Sequence, residues 1–106
     1  HLGRWFAVLE GIQQDANPGI NATIRDKYFS SAASTPAAIF ALLVQLSQKH
    51  LAKLSEGQTI FYSKLIQEIT DHIPDELPTR LSLPEQASFY LGYYHQTQDR
   101  YTKKED

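Results

Sequence analysis

Cysteine and methionine are both missing from this 106-residue chain. Without cysteine there is neither a disulfide framework nor a thiolate metal site, a composition that suits a reducing cytoplasm. Methionine is absent even at the first position, so the chain is expected to be a trimmed product or a piece of a longer reading frame. No apolar run approaches the roughly eighteen residues of a membrane span, and no charged-then-apolar leader opens the chain, so a cytoplasmic location is expected. Alternation with period two never persists beyond a few residues, which leaves no strand to predict. Phosphate-cradling Gly-x-x-x-x-Gly-Lys and Gly-x-Gly-x-x-Gly loops are missing, as is the nucleophile pattern Gly-x-Ser-x-Gly. His1, His50, His72 and His95 pair with no other His, Asp or Glu at a recognised metal-binding spacing, and His50 reads as a core or boundary histidine. The pairs Asp75/Glu76 and Glu105/Asp106 read as solvated loop and tail charges. No enzyme, cofactor or metal is therefore expected.

What remains is an ordinary globular composition, 42% hydrophobic and 21% charged, sufficient for one core and hence a single domain over residues 1–106. A net charge of −2 argues against a wholly basic nucleic-acid-binding surface, yet the charge is unevenly spread. Residues 20–54 carry Arg25, Lys27, Lys49 and Lys53 against Asp26 alone. Residues 55–85 carry Glu56, Glu68, Asp71, Asp75, Glu76 and Glu85 against Lys64 and Arg80. Such asymmetry points to a partner.

Hydrophobic spacing predicts an all-α bundle of five helices, roughly 2–14, 21–33, 36–54, 59–72 and 83–102, packed up and down. The first places Leu2, Phe6 and Leu9 on one face with Trp5, Val8 and Ile12 beside it, and Arg4 and Glu10 outside. Asn17-Pro18-Gly19 reads as a turn, because proline presets φ and glycine supplies the positive φ that follows. In the second helix Ile20, Ile24, Tyr28 and Ala32 recur every four residues, with Asn21 as the expected N-cap. Thr35-Pro36 marks the third N-terminus. Its expected core positions are Ile39, Leu43, Leu46, His50 and Leu54, with Lys49 and Lys53 stacked one turn apart outside. Gly57 is expected to close that helix before a fourth with Phe61, Leu65 and Ile69 inward. Ser82-Leu83-Pro84-Glu85 is a capping box. The last helix is expected to turn Ala87, Leu91, Tyr94, Gln98 and Tyr101 to the core, and Lys103 and Lys104 to complement its dipole before the end frays.

Basic side chains interleaved with amides are the one positive functional signal. Arg25, Lys27, Lys49 and Lys53, with Asn21, Gln45 and Gln48 alongside, can follow a phosphate backbone, since cations neutralise phosphates and amides fix register. A solvated helix face is the commoner role for such charges. Tyr93-Tyr94-His95-Gln96 can stack on bases, although core packing is commoner for a tyrosine pair at helical spacing.

Three stretches carry a resemblance: Leu2-Gly3-Arg4-Trp5-Phe6-Ala7-Val8-Leu9-Glu10, Asn17-Pro18-Gly19-Ile20-Asn21-Ala22-Thr23-Ile24-Arg25-Asp26-Lys27-Tyr28-Phe29, and Leu91-Gly92-Tyr93-Tyr94-His95-Gln96. Together they resemble the C-terminal region of the large subunit of type I-C CRISPR surveillance complexes. In that family the region is also made separately, from an internal start, as the small subunit of the complex, and a chain of this size resembles that small subunit. The resemblance implies a non-catalytic role in antiviral defense, with the bundle stacked against the guide RNA–target DNA hybrid and the displaced non-target strand. It implies the large subunit, the backbone subunits and further copies of the chain as partners, and it makes Arg25, Lys27, Lys49 and Lys53 the expected nucleic-acid-binding residues. Thr97 stands where the family usually carries arginine, so no phosphate contact is carried over to the last helix. A protein–protein adaptor that only bridges other subunits is the alternative.

Overall fold

The computed structural model describes residues 1–105, with side chains through Asp99. Among them are five helices and no strand: α1 (Leu2–Ala16), α2 (Ile24–Ser34), α3 (Pro36–Leu51), α4 (Glu56–Thr70) and α5 (Leu83–Glu105). The all-α bundle expected from the sequence is the fold observed. Among the described residues no helix is long and apolar enough to cross a membrane. Tyr101 and the Lys103–Lys104 end of the last helix lie outside the described side chains.

Helix α1 is the axis of the molecule, because α2, α3, α4 and α5 all pack on it. Its apolar stripe explains this. Phe6, Val8, Leu9 and Ile12 are buried, and Phe6, with no solvent exposure, meets Phe29, Phe89 and Tyr93 edge-on. Burying one such ring contributes roughly 2–3 kcal/mol, and edge-on geometry sets ring hydrogens against π-faces. Trp5 stacks on Phe40 of α3 at 4.7 Å. The Asn17-Pro18-Gly19 turn forms as expected: Ile20 N–H donates to the Asn17 carbonyl at 3.1 Å, and Gly19 has φ +83°. That positive φ is what position three of a type II turn demands.

Helix boundaries differ from the sequence expectation where a different residue wins the cap. Thr23, not Asn21, caps α2: its hydroxyl accepts from Arg25 N–H at 3.2 Å, and Asp26 accepts from Thr23 N–H at 2.8 Å. Ile20 therefore lies outside the helix and is exposed. Likewise α3 stops at Leu51, so Lys53 sits beyond its end. Ser55 and Gln58 form a capping box that opens α4 at Glu56, and Gly57 belongs to α4's first turn rather than to the end of α3. Such caps satisfy backbone donors that would otherwise be orphaned, at about 1 kcal/mol each. Ser82 and Glu85 make the expected box, and Glu85's carboxyl is held below its usual value by the Ser82 backbone N–H. Thr35 makes no cap bond; its hydroxyl donates back to the Ser31 carbonyl at 3.0 Å.

Three faces are rotated from expectation. The buried line of α3 is Pro36, Phe40, Leu43 and Ser47, and Ile39, Leu46 and His50 flank it. In α4, Tyr62 and Ile69 are buried while Phe61 is half exposed. In α5, Phe89 and Tyr93 point inward, and Leu91 and Tyr94 outward. The α5 rotation has a steric cause. A Cβ on Gly3 would fall 1.8 Å from the Phe89 carbonyl oxygen, and one on Gly92 would fall 3.3 Å from Arg4 N, so the two backbones touch where both helices carry glycine. That crossing turns Phe89 and Tyr93 onto Phe6.

Candidate nucleic-acid interface

The first turn of α2 lies across the middle of α1 because two α1 side chains hold it. Gln13 accepts from Ile24 N–H at 2.7 Å, and Glu10 accepts from the Thr23 hydroxyl at 2.6 Å. Glu10 was expected on the outside; it is buried because Thr23 and Tyr93 close over it, the Tyr93 hydroxyl donating to its second oxygen at 2.5 Å. Burial and that carboxylate push the Tyr93 phenol well above its usual value near 10.

This anchoring fixes Arg25 next to α5. Its guanidinium carbon lies 5.4 Å from the Phe29 ring centre, 5.5 Å from Tyr93 and 5.8 Å from Tyr94, and Nη2 donates to the Tyr94 hydroxyl at 2.9 Å. Aromatic faces orient a cation without neutralising it. Among the described residues the one ion pair joins Arg4 to Asp99 at 3.3 Å, so Arg25, which is exposed, has no carboxylate partner there.

The other three expected residues are exposed as well, as are Asn21, Gln45 and Gln48. Lys27 lies 5.2 Å over the Tyr28 ring. Lys49 and Lys53 belong to a second group at the end of α3. Lys53 Nζ donates to Asn17 Oδ1 at 3.3 Å, and Asn17 Nδ2 lies 3.4 Å from His50 Nδ1. His50 is held below its usual value by partial burial, then by the charges of Lys53 and Lys49. The four basic residues thus fall into two groups: Arg25 on the aromatic edge of α5, with Lys27 in the same first turns of α2, and Lys49 and Lys53 around His50.

Beside Arg25 opens a cleft of about 890 Å³, floored by α1 at Ala7, Val8 and Gly11 and walled by α4 and α5. It exists because α4 packs on α1 and, among the described residues, has no comparable contact with α5. Phe61 and Leu65 line one wall, Tyr94 and Thr97 the other. Sequence reasoning missed this arrangement, since Arg25 and Tyr94 are 69 positions apart. The one local clue was the adjacency of two tyrosines, which lie about 100° apart around the helix and so need not share one face.

Among the described residues the chain is a strand-free helical bundle that carries the Arg25 guanidinium on its surface with no acidic partner. Its lineage is shown by a family model, described as CRISPR-associated protein (Cas_Csd1), that matches residues 1–101; the chain belongs to this family of type I-C CRISPR Cascade proteins. No individually curated protein matches the chain.

Proposed function

We propose that this chain is a non-catalytic, cytoplasmic small subunit of a type I-C Cascade complex that steadies the guide RNA–target DNA hybrid and the displaced non-target strand through phosphate contacts. Arg25 carries the reading. Its guanidinium is exposed, held by three rings and unpaired with acid among the described residues, and a planar guanidinium can bind phosphate through two parallel hydrogen bonds. Lys27, Lys49 and Lys53 add point charges on exposed positions. Sequence specificity comes from base pairing with the guide, since phosphate contacts carry none. The large subunit, the backbone subunits and further copies of the chain are its protein neighbours. The acidic α4 and the loop after it in one copy face the basic α2–α3 region of the next, a head-to-tail contact that propagates.

The test is target-DNA binding by the assembled complex across a salt series, with wild-type chain and with Arg25, Lys27, Lys49 and Lys53 all changed to alanine. Each lost contact lowers the magnitude of the salt slope by about 0.7 for a single strand and about 0.9 for a duplex. An adaptor that only bridges subunits leaves the slope unchanged, and that result would overturn the proposal.

A further inference from the structure

We propose that Tyr94 and Arg25 form a seat for one unpaired nucleotide of a single strand, the base stacking on the exposed tyrosine ring and the adjoining phosphate lying on the guanidinium. The inference rests on the phosphate-binding reading above and deepens it, adding an aromatic residue on α5 and a selection for unpaired bases.

The two neighbouring tyrosines have opposite surroundings. Tyr93 is 4% exposed and its hydroxyl is committed to Glu10, whereas Tyr94 is 51% exposed at the mouth of the cleft. The Tyr94 ring is held in place: it meets Tyr93 edge-on at 5.2 Å, and its hydroxyl accepts from Arg25 at 2.9 Å. A fixed, half-solvated ring beside a fixed cation is the pairing that single-strand sites use, because every base has a π-face and every nucleotide a phosphate. A base stacked and paired within a duplex cannot offer that face. One Arg25 N–H is spent on Tyr94, and the remaining donors of the fork are left for phosphate oxygens.

The carboxylates that line the same cleft decide where the strand runs. Glu10 is engaged by Thr23 and Tyr93, Asp15 by Tyr62, and Asp99 by Arg4. Glu68 stands exposed on the α4 wall. The backbone of the strand therefore follows the α2–α5 rim, where Arg25 is, and the base alone enters the cleft. Phosphate contact from α5 itself is not needed.

The experiment compares assembled complexes carrying wild-type chain, Tyr94→Ala, Tyr94→Phe or Arg25→Ala. The probes are a fluorescein-labelled strand of about twelve thymidylates, the span of a typical single-strand site, and an abasic strand of the same length. Tyr94→Ala should weaken binding of the base-bearing strand roughly tenfold, about 1.4 kcal/mol, and that of the abasic strand less than about twofold. Tyr94→Phe keeps the ring and should stay within about threefold of wild type on both. Equal losses on the two strands, or none on either, would overturn the seat. Arg25→Ala should weaken both strands and flatten the salt slope. If it does so while Tyr94→Ala makes no distinction between the strands, stacking fails alone; an unchanged slope removes the phosphate reading and the seat with it.

Discussion

Helices α5 and α4 flank the same α1, but α5 meets it backbone to backbone and α4 meets it through side chains. At the α5 crossing, Gly3 and Gly92 let the main chains touch, and the four-ring cluster of Phe6, Phe29, Phe89 and Tyr93 closes over the contact. On the other side only Tyr62 and Ile69 of α4 are buried, while Ile60 and Phe61 are half exposed. One flank of the bundle is fixed by steric exclusion; the other is attached along a narrow line and leaves a cleft. The cleft between them therefore has one wall set by backbone contact and one held by a few side chains.

Two phenylalanines make the largest test of that contrast. Phe6→Ala should cost about 3–5 kcal/mol, since a ring with no exposure leaves a cavity among rings that cannot collapse into it. Phe61→Ala should stay within about 0.5 kcal/mol of wild type, because half the ring is already in water. Urea unfolding followed by circular dichroism reads both, and similar costs would erase the distinction between the flanks.

Gly3→Ala comes next. The new methyl cannot sit 1.8 Å from the Phe89 carbonyl, so α5 must move, at about 3 kcal/mol. In a domain of this size the melting temperature should fall by more than about 10 °C. A melting point near that of wild type would show that the crossing has slack.

A smaller effect lies in the buried polar group between α1 and α5. Tyr93→Phe removes the donor to one Glu10 oxygen and leaves the Thr23 bond, so about 1–2 kcal/mol should be lost near neutral pH. The pH dependence has a definite sign. The folded phenol holds its proton more tightly than the unfolded one, so this contribution is fully present below pH 10 and is lost as the pH rises above it, where the unfolded tyrosine ionises first. The gap between wild type and Tyr93→Phe should therefore narrow in urea midpoints taken above pH 10. A gap of constant size on both sides of that pH would place the ionisation elsewhere.

The sequence was legible where the signal is local and blurred where it depends on a neighbour. Five helices, the Asn17-Pro18-Gly19 turn and the Ser82–Glu85 box follow from residues within a few positions of one another. Ser55-x-x-Gln58 carries the same local signal and outweighs Gly57, whose presence suggests a helix end only when no cap precedes it. Helix rotation is another matter. On α5 the aromatic residues are dense enough to draw two stripes, and the choice between Leu91–Tyr94 and Phe89–Tyr93 was made by Gly3, far away in sequence. Glu10 was hidden for the same reason: its partners Thr23 and Tyr93 come from α2's cap and from α5. The basic residues were placed correctly on exposed positions. Their separation into an aromatic-held arginine and a lysine pair around His50 needed the fold.

Gly57→Ala, the one predicted gain in stability, is the counterpart of Gly3→Ala, since both put one methyl on a glycine in the first turn of a helix that packs on or belongs to the α1 seam. At Gly57 a new Cβ meets nothing within 4 Å, and Gly19 is the glycine with positive φ, so the backbone here already suits alanine. Restricting the unfolded chain and favouring the helix should then stabilise the protein by about 0.4–1 kcal/mol, within the first turn that Ser55 caps. The gain depends on α4 unfolding with the rest of the bundle. If α4 instead detaches first, as its narrow attachment to α1 allows, the substitution should raise amide-exchange protection in α4 and leave the global melting temperature unchanged. Hydrogen exchange resolved by helix separates the two outcomes: protection gained in α1 and α5 together with α4 means one cooperative unit, and protection gained in α4 alone means that the α4 wall of the cleft moves independently of the α5 wall.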